Sequence, residues 1–233
     1  MQDISIECTG ICLQCEVRDT MKEATLIRAF MVDVDGVVVD GRPADGQGWA
    51  SSLEEDLGLA SSDLHKALFE PYWDAIVTGK LSLEERLASV LADIAPNLSA
   101  HRLLNYWFEN DARLNLGLLA DLARHRRRGV KVFLASNQEH LRAEFLMTSL
   151  GLDHYCDGIF YSAALSWRKP SLEFYKKITE LSGFLPEELL LIDDTPANVQ
   201  AALESGWNAI CWTKSSELEA QISDLQVIGE SAK

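Results

Sequence analysis

Leu26-Ile27-Arg28-Ala29-Phe30-Met31-Val32-Asp33-Val34-Asp35 is the stretch that decides the fold of this chain. Its middle is apolar without polar alternation, and two acids close it. A strand apolar on both faces must be covered on both faces, which is the situation of a parallel sheet flanked by helices. Acids at its carboxyl end stand where open α/β sheets bind their ligands. Gly36 and Gly41 then flank Val37-Val38-Val39, a short segment able to bend away from the sheet.

Further along, strands and helices alternate. Leu116, Leu119, Leu122 and Ala123 line one face of a helix ending at Gly129. Residues 130–135 (VKVFLA) read as a strand, and Gln138 to Leu150 as a helix closed by Gly151. Gly158 to Tyr161 is a weaker strand, Pro170 opens a helix ending at Gly183, and Leu189 to Ile192 is a strong strand. Thr195 stands as N-cap before Pro196, Gly206 lies past the end of that helix, and Ala209 to Trp212 is the last strand. This order predicts an α/β fold with a doubly wound parallel sheet. The turn after the first strand has no G-x-G-x-x-G, so the fingerprint of a dinucleotide-binding fold is missing.

Between about residues 45 and 111 no strand-like run occurs. Ser82 and Glu85 form a capping box ahead of Leu83, Leu87, Val90, Leu91 and Ile94, an apolar stripe at helical spacing. Ser62 and Ser99 read as further N-caps. The expected organisation is a core of residues 21–44 and 112–233, a helical insert at 45–111, and a poorly ordered extension at 1–20. Within that extension, Cys8, Cys12 and Cys15 have a C-x3-C-x2-C spacing that resembles the iron–sulfur loop of radical S-adenosylmethionine enzymes. Nothing downstream completes such an enzyme, and the loop precedes the first strand.

The chain has 233 residues, 47% of them hydrophobic, enough for a buried core. Its 21 Lys and Arg against 36 Asp and Glu leave a net charge of −15. Such a surface disfavours nucleic acid, which needs basic groups to displace counterions, and anionic membranes for the same reason. Five Cys and the lack of a basic, apolar leader point to a cytoplasmic protein. The basic run Arg124 to Arg128 ends a helix, where cations complement the helix C-terminus.

Four strand ends carry polar groups. They are Asp33 and Asp35 with Gly36, then Ser136-Asn137, then Arg168-Lys169-Pro170 after the third strand, then Asp193-Asp194. Carboxylates this close would repel and take up protons unless a divalent cation stood among them. Hard oxygen donors suit Mg²⁺, and a cation paired with a lysine neutralises a phosphoryl group. The arrangement asks for a phosphate ester.

In order, VDVDGVV (32–38), ASN (135–137), RKP (168–170) and IDDTPANV (192–199) resemble the four motifs of the haloacid dehalogenase superfamily. The resemblance implies a Rossmann-like core, a flap hairpin after the first strand and a helical cap of the C1 kind. It implies Asp33 as the nucleophile that forms an aspartyl-phosphate and Asp35 as the general acid and base. Ser136, Asn137, Lys169 and Gly36 would hold the phosphoryl group. Mg²⁺ would take Asp33, the main-chain carbonyl of Asp35 and Asp194, with Asp193 as a further or water-mediated ligand. Dehalogenases and phosphonatases lack the second acid, so Asp35 favours phosphate esters. Val37 stands where many members have Thr, and Asn198 where Asp is frequent. In the insert, Trp49, Tyr72, Trp73, Thr78, Gly79 and Lys80 are the candidate substrate contacts, with Trp73, Gly79 and Lys80 foremost.

The expected activity is Mg²⁺-dependent hydrolysis of a small phosphate monoester, a sugar phosphate or similar. The alternatives are a phosphomutase of the β-phosphoglucomutase type and a non-catalytic binding protein on the same fold. The expected partner is a small phosphate ester, with no nucleic acid or membrane, and the protein is expected to be a monomer or homodimer.

Overall fold

The computed structural model describes residues 26–231. The extension at 1–20, with its three cysteines, lies outside the described residues. Five parallel strands form the centre: β1 (Ala29–Val32), β2 (Lys131–Ser136), β3 (Gly158–Tyr161), β4 (Leu189–Asp193) and β5 (Asn208–Cys211). They lie in the order β3-β2-β1-β4-β5, with β1 central. Ala29 pairs with Lys131 on one side and Leu189 on the other. Every residue of β1 and β4 is buried, which explains their unbroken apolar runs. The pleat sorts them: Phe30, Val32, Leu190 and Ile192 enter one layer, and Ala29, Met31, Leu189 and Leu191 the other.

Between β1 and β2 the chain first builds a helical unit. A 3₁₀ turn (Trp49–Ser52) leads into α1 (Leu53–Leu57). Next, α2 (Ser61–Leu64) passes through a wider π turn (His65–Phe69) into α3 (Glu70–Val77), and α4 (Leu83–Ile94) and α5 (Ala100–Asn110) follow. Leu53, Leu64, Leu68, Ile76, Leu87 and Leu91 form a core of its own there. Ser82 and Ser99 cap their helices by accepting from the main-chain N–H of Glu85 and Arg102. Ser62 does not cap. It lies inside α2, whose first main-chain bonds already run from Asp63 and Leu64 back to Ala60.

The sheet is covered on one face by α6 (Leu116–Arg127), α7 (His140–Thr148) and α11 (Leu218–Ser231), and on the other by α8 (Ser162–Leu165), α9 (Leu172–Ser182) and α10 (Pro196–Glu204). The basic run at the end of α6 engages neighbouring side chains. Arg124 pairs with Asp121, Arg126 with Asp157, and His125 packs edge-on against Phe30. No helix of the described residues is long and apolar enough to cross a membrane.

After β1 the chain makes a tight turn, and the flap pairing follows it: the N–H of Asn115 donates to the carbonyl of Val38 at 2.8 Å, that of Asp40 to Arg113 at 2.9 Å and that of Arg113 to Gly41 at 3.0 Å. The N–H groups of Val37, Val38 and Val39 all turn back to the carbonyl of Val34, and Val39 then makes a single antiparallel bridge to Leu114. In a ribbon with one face open to solvent every second side chain would be exposed, because side chains alternate. Wound into a tight turn, all three are buried.

The helical unit is seated on the core where α3 ends. Ser162 Oγ donates to the carbonyl of Val77 at 2.6 Å, and Arg168 pairs with Asp74 at 3.2 Å. Between them, Gly79 (φ +74°) passes so close to α8 that a Cβ there would lie 2.5 Å from the carbonyl oxygen of Ala163. Gly79→Ala is expected to destabilise the fold by at least about 1–2 kcal/mol, the cost of a left-handed backbone for an L-residue. The urea unfolding midpoint checks this, and an unchanged midpoint contradicts it.

Candidate active site

Asp33 directly follows β1 and is 7% exposed. Its N–H donates to the carbonyl of Ile192, which fixes it to β4, and its Oδ1 accepts from the N–H of Val34 at 2.7 Å. Lys169 Nζ lies 3.0 Å from the same oxygen. Burial pushes the Asp33 carboxyl up to about 7. The Lys169 ammonium and the Ser136 hydroxyl oppose that rise, and Asp193 adds to it.

Lys169 is 1% exposed and reaches both Asp33 and, at 2.5 Å, Asp193 Oδ2. Burial works against its charge, but the two carboxylates outweigh burial and hold the ammonium above its ordinary pKa. Asp193 is fully buried and well supplied with donors. Its Oδ1 accepts from the N–H of Thr195 at 2.9 Å and from Asn198 Nδ2 at 3.0 Å, and Asn198 also reaches Oδ2. Thr195 is the N-cap of α10 by position, yet its hydroxyl bonds Asp194 Oδ1 rather than the helix. Asp194 is exposed. Partial burial and the neighbouring Asp193 raise its pKa.

Asp33, Asp193 and Asp194 each bring one carboxylate oxygen within 4.8 Å of the others. One ammonium stands against three carboxylates, and the donor set is hard oxygen, so the residues present fit a divalent cation such as Mg²⁺. Gly36 (φ +81°) makes this packing possible: a Cβ at that position would fall 2.1 Å from Asp194 Oδ2.

Ser136 and Asn137 end β2 beside these groups. Ser136 is buried. Asn137 uses both ends of its amide on Lys169, donating to its carbonyl at 3.0 Å and accepting from its N–H at 2.8 Å. That clamp fixes the loop from which Lys169 projects, and the Lys169-Pro170 peptide within it is cis.

The Asp35 carboxyl is not part of the three-carboxylate cluster. Gln138 Nε2 donates to its Oδ2 at 2.6 Å, and the Arg142 guanidinium lies 3.8 Å from its Oδ1. Neither Gln138 nor Arg142 was singled out from the sequence. A signal for Arg142 exists, since it precedes Leu146 by four residues and so takes a place on the buried stripe of α7. Arg142 also lies 3.3 Å from the carboxylate of Asp111, whose pKa burial pushes up to about 6.

The insert residues fall in different places. Trp49 stacks on Trp107, and Trp49 and Trp73 line a cavity of about 630 Å³ with Phe69, Leu64 and His65. Tyr72 lies under the Arg86 guanidinium. The Thr78 hydroxyl donates to the carbonyl of Asp74, Gly79 sits in the seat on α8, and Lys80 is exposed.

Residues 27–206 match the haloacid dehalogenase-like hydrolase family. Over 78 residues the chain is 35% identical to flavin mononucleotide hydrolase 1 of Arabidopsis thaliana, a match that spans 34% of this chain and about a third (32%) of that protein. Over 192 residues it is 27% identical to a D-ribitol-5-phosphate phosphatase of Bacteroides thetaiotaomicron, covering 78% of this chain and 90% of that one. Its fold is similar to that of a haloacid dehalogenase family enzyme of Bacteroides thetaiotaomicron, solved in complex with magnesium and inorganic phosphate. That similarity has a TM-score of 0.68 at 17% identity, over 82% of this chain and 96% of the other. With the family match spanning β1 to β4 and the strand-end carboxylates, this chain belongs to the haloacid dehalogenase-like hydrolases.

Proposed function

We propose that this hydrolase is a Mg²⁺-dependent phosphatase of small phosphate monoesters, sugar phosphates or similar, and that Asp33 is its nucleophile. The observation that carries the reading is the buried Lys169 ammonium, 3.0 Å from Asp33, beside two further carboxylates. That set offers an ionised oxygen to attack phosphorus and a cation for the phosphoryl oxygens. The relative named as a D-ribitol-5-phosphate phosphatase supports a phosphorylated polyol or sugar as the substrate class.

Asp33, Asp194 and the main-chain carbonyl of Asp35 would hold Mg²⁺, which would supply charge to neutralise the phosphoryl group. Asp193, already engaged by Lys169, Thr195 and Asn198, acts best through those partners or through water. Lys169 and Ser136 bind phosphoryl oxygens, Gly36 keeps the approach open, and Asn137 positions Lys169. Asp33 attacks phosphorus while Asp35 gives its proton to the departing alcohol oxygen. Asp35 then takes a proton from water, whose oxygen attacks the aspartyl-phosphate and releases inorganic phosphate. The helical insert at 45–111 acts as a cap that limits water at this site.

Three outcomes test the reading. In a phosphate-release screen with Mg²⁺, Asp33→Asn is expected to lower turnover by more than about 10³-fold. Undiminished activity in that variant overturns the assignment. Gly36→Ala is expected to abolish turnover while the protein remains folded by circular dichroism, because the added methyl displaces the Asp194 carboxylate.

The third outcome concerns pH. Asp33 ordinarily ionises near 3.8 but in the folded chain near 7, so between those values the folded protein carries an extra proton. A cation must expel that proton to bind. The rise in melting temperature caused by Mg²⁺ is therefore expected to be small at pH 5.5, to grow through pH 7 and to level above it. The apparent affinity should change about tenfold per pH unit on the acidic side. A shift independent of pH contradicts the role of Asp33 as a ligand.

A further inference from the structure

Arg142 is 2% exposed, an unusual burial for a guanidinium. It lies on α7 of the core, but much of what it touches belongs to the chain leaving the insert. Its guanidinium donates to the carbonyl of Phe108 at 3.3 Å and to that of Asp111 at 2.5 Å. These carbonyls lie at the end of α5, where a helix leaves acceptors without internal partners and its dipole favours a cation. The rings of Phe108 and Phe145, each 5.4 Å away, flank the charge. The Asp111 and Asp35 carboxylates stand at 3.3 and 3.8 Å from the same nitrogen.

One buried cation therefore joins the last helix of the insert to the acid that follows β1. Gln138, four residues earlier in the same segment, donates to the other oxygen of Asp35. Between them, Gln138 and Arg142 approach both carboxylate oxygens, while nothing in β1 itself fixes that side chain. Asp33, in contrast, is fixed by the main chain and Lys169.

We propose that Arg142 is a positioning residue for the reaction: it holds the Asp35 carboxyl against the leaving group and ties that placement to the end of α5. Because Arg142 is anchored to α5 by main-chain carbonyls, a displacement of the insert moves the guanidinium or strips it of its acceptors. Asp35 is then misplaced as well. The acid is held in position only while the insert is docked. This inference rests on the proposed role of Asp35 as the general acid.

Leaving-group dependence tests it. p-Nitrophenolate departs without a proton, whereas an alkoxide needs one, so a fault in the acid is felt chiefly with alkyl esters. kcat/KM is measured for p-nitrophenyl phosphate and for the alkyl phosphate that the unaltered protein hydrolyses fastest. Arg142→Lys keeps a charge but loses the fork. It is expected to lower the alkyl value about tenfold more than the aryl value, mainly in kcat. Asp111→Asn, nearly isosteric, is expected to show the same bias more weakly, and it serves as the test if the Arg142 variant does not fold. Equal losses for both esters in the folded variants overturn the inference, since structural damage lowers both alike. Asp35→Asn separates the two readings. If it shows no leaving-group bias, the role of Asp35 falls. If it shows the bias and neither of the other variants does, only the role of Arg142 falls.

Discussion

The buried Lys169 ammonium, held between Asp33 and Asp193, is the interaction on which the site depends. An isolated charge in such a place costs several kcal/mol of desolvation, which only close partners and further hydrogen bonds offset. The fold supplies these from three strand ends. β1 leads into Asp33, β4 ends in Asp193, and Asn137 beyond β2 clamps the main chain of Lys169. Asn198 and Thr195 complete the shell around Asp193 from the start of α10. The strands are parallel and aligned, so their carboxyl ends meet on one rim. That is why four segments far apart in the chain assemble one cluster.

The two acids of the first motif have contrasting surroundings. Asp33 is buried, faces an ammonium and is raised to about 7, while Asp35 two residues later is exposed and its carboxylate meets Gln138 and Arg142. In the proposed reaction, the anion that shares a cation with other carboxylates attacks phosphorus, and the carboxyl outside the cluster transfers the proton. The helical unit is joined to the core near both: Arg168, next to Lys169, pairs with Asp74, and Arg142, next to Asp35, holds the end of α5. Its own hydrophobic cluster extends onto α7 through Leu141 and Phe145, so the two parts share an apolar contact as well.

Much of this was legible in the chain. The unbroken apolar runs of β1 and β4, the acids that close them and the helical period of Leu83 to Ile94 follow from local rules of periodicity and burial. The regions that local rules misread or leave incomplete are informative. Ser62 offers a capping hydroxyl, but α2 begins earlier, at Ser61, with Ala60 in the capping position. Val37-Val38-Val39 reads as a short segment able to bend away from the sheet, and the structure adds that it does so in a tight turn that buries all three side chains. Thr195 stands at an N-cap but gives its hydroxyl to Asp194.

The parallel sheet, the helical insert and the identity of the strand-end residues are written in the order of the amino acids, because each depends on periodicity or on a side chain's place at the end of its own element. Which of those residues share a charge is settled by the packing of the elements. Asp33 and Asp193 pair with Lys169 and Asp194 joins their carboxylate cluster while the Asp35 carboxyl does not, and Asn137 turns its amide to the Lys169 main chain. The tertiary structure also disclosed Arg142, a residue of ordinary appearance in the sequence. Its importance comes from the end of α5 and from Asp35, two partners that lie 31 and 107 positions away in the chain. Such contacts are set by how the elements pack and leave no periodic mark along the chain.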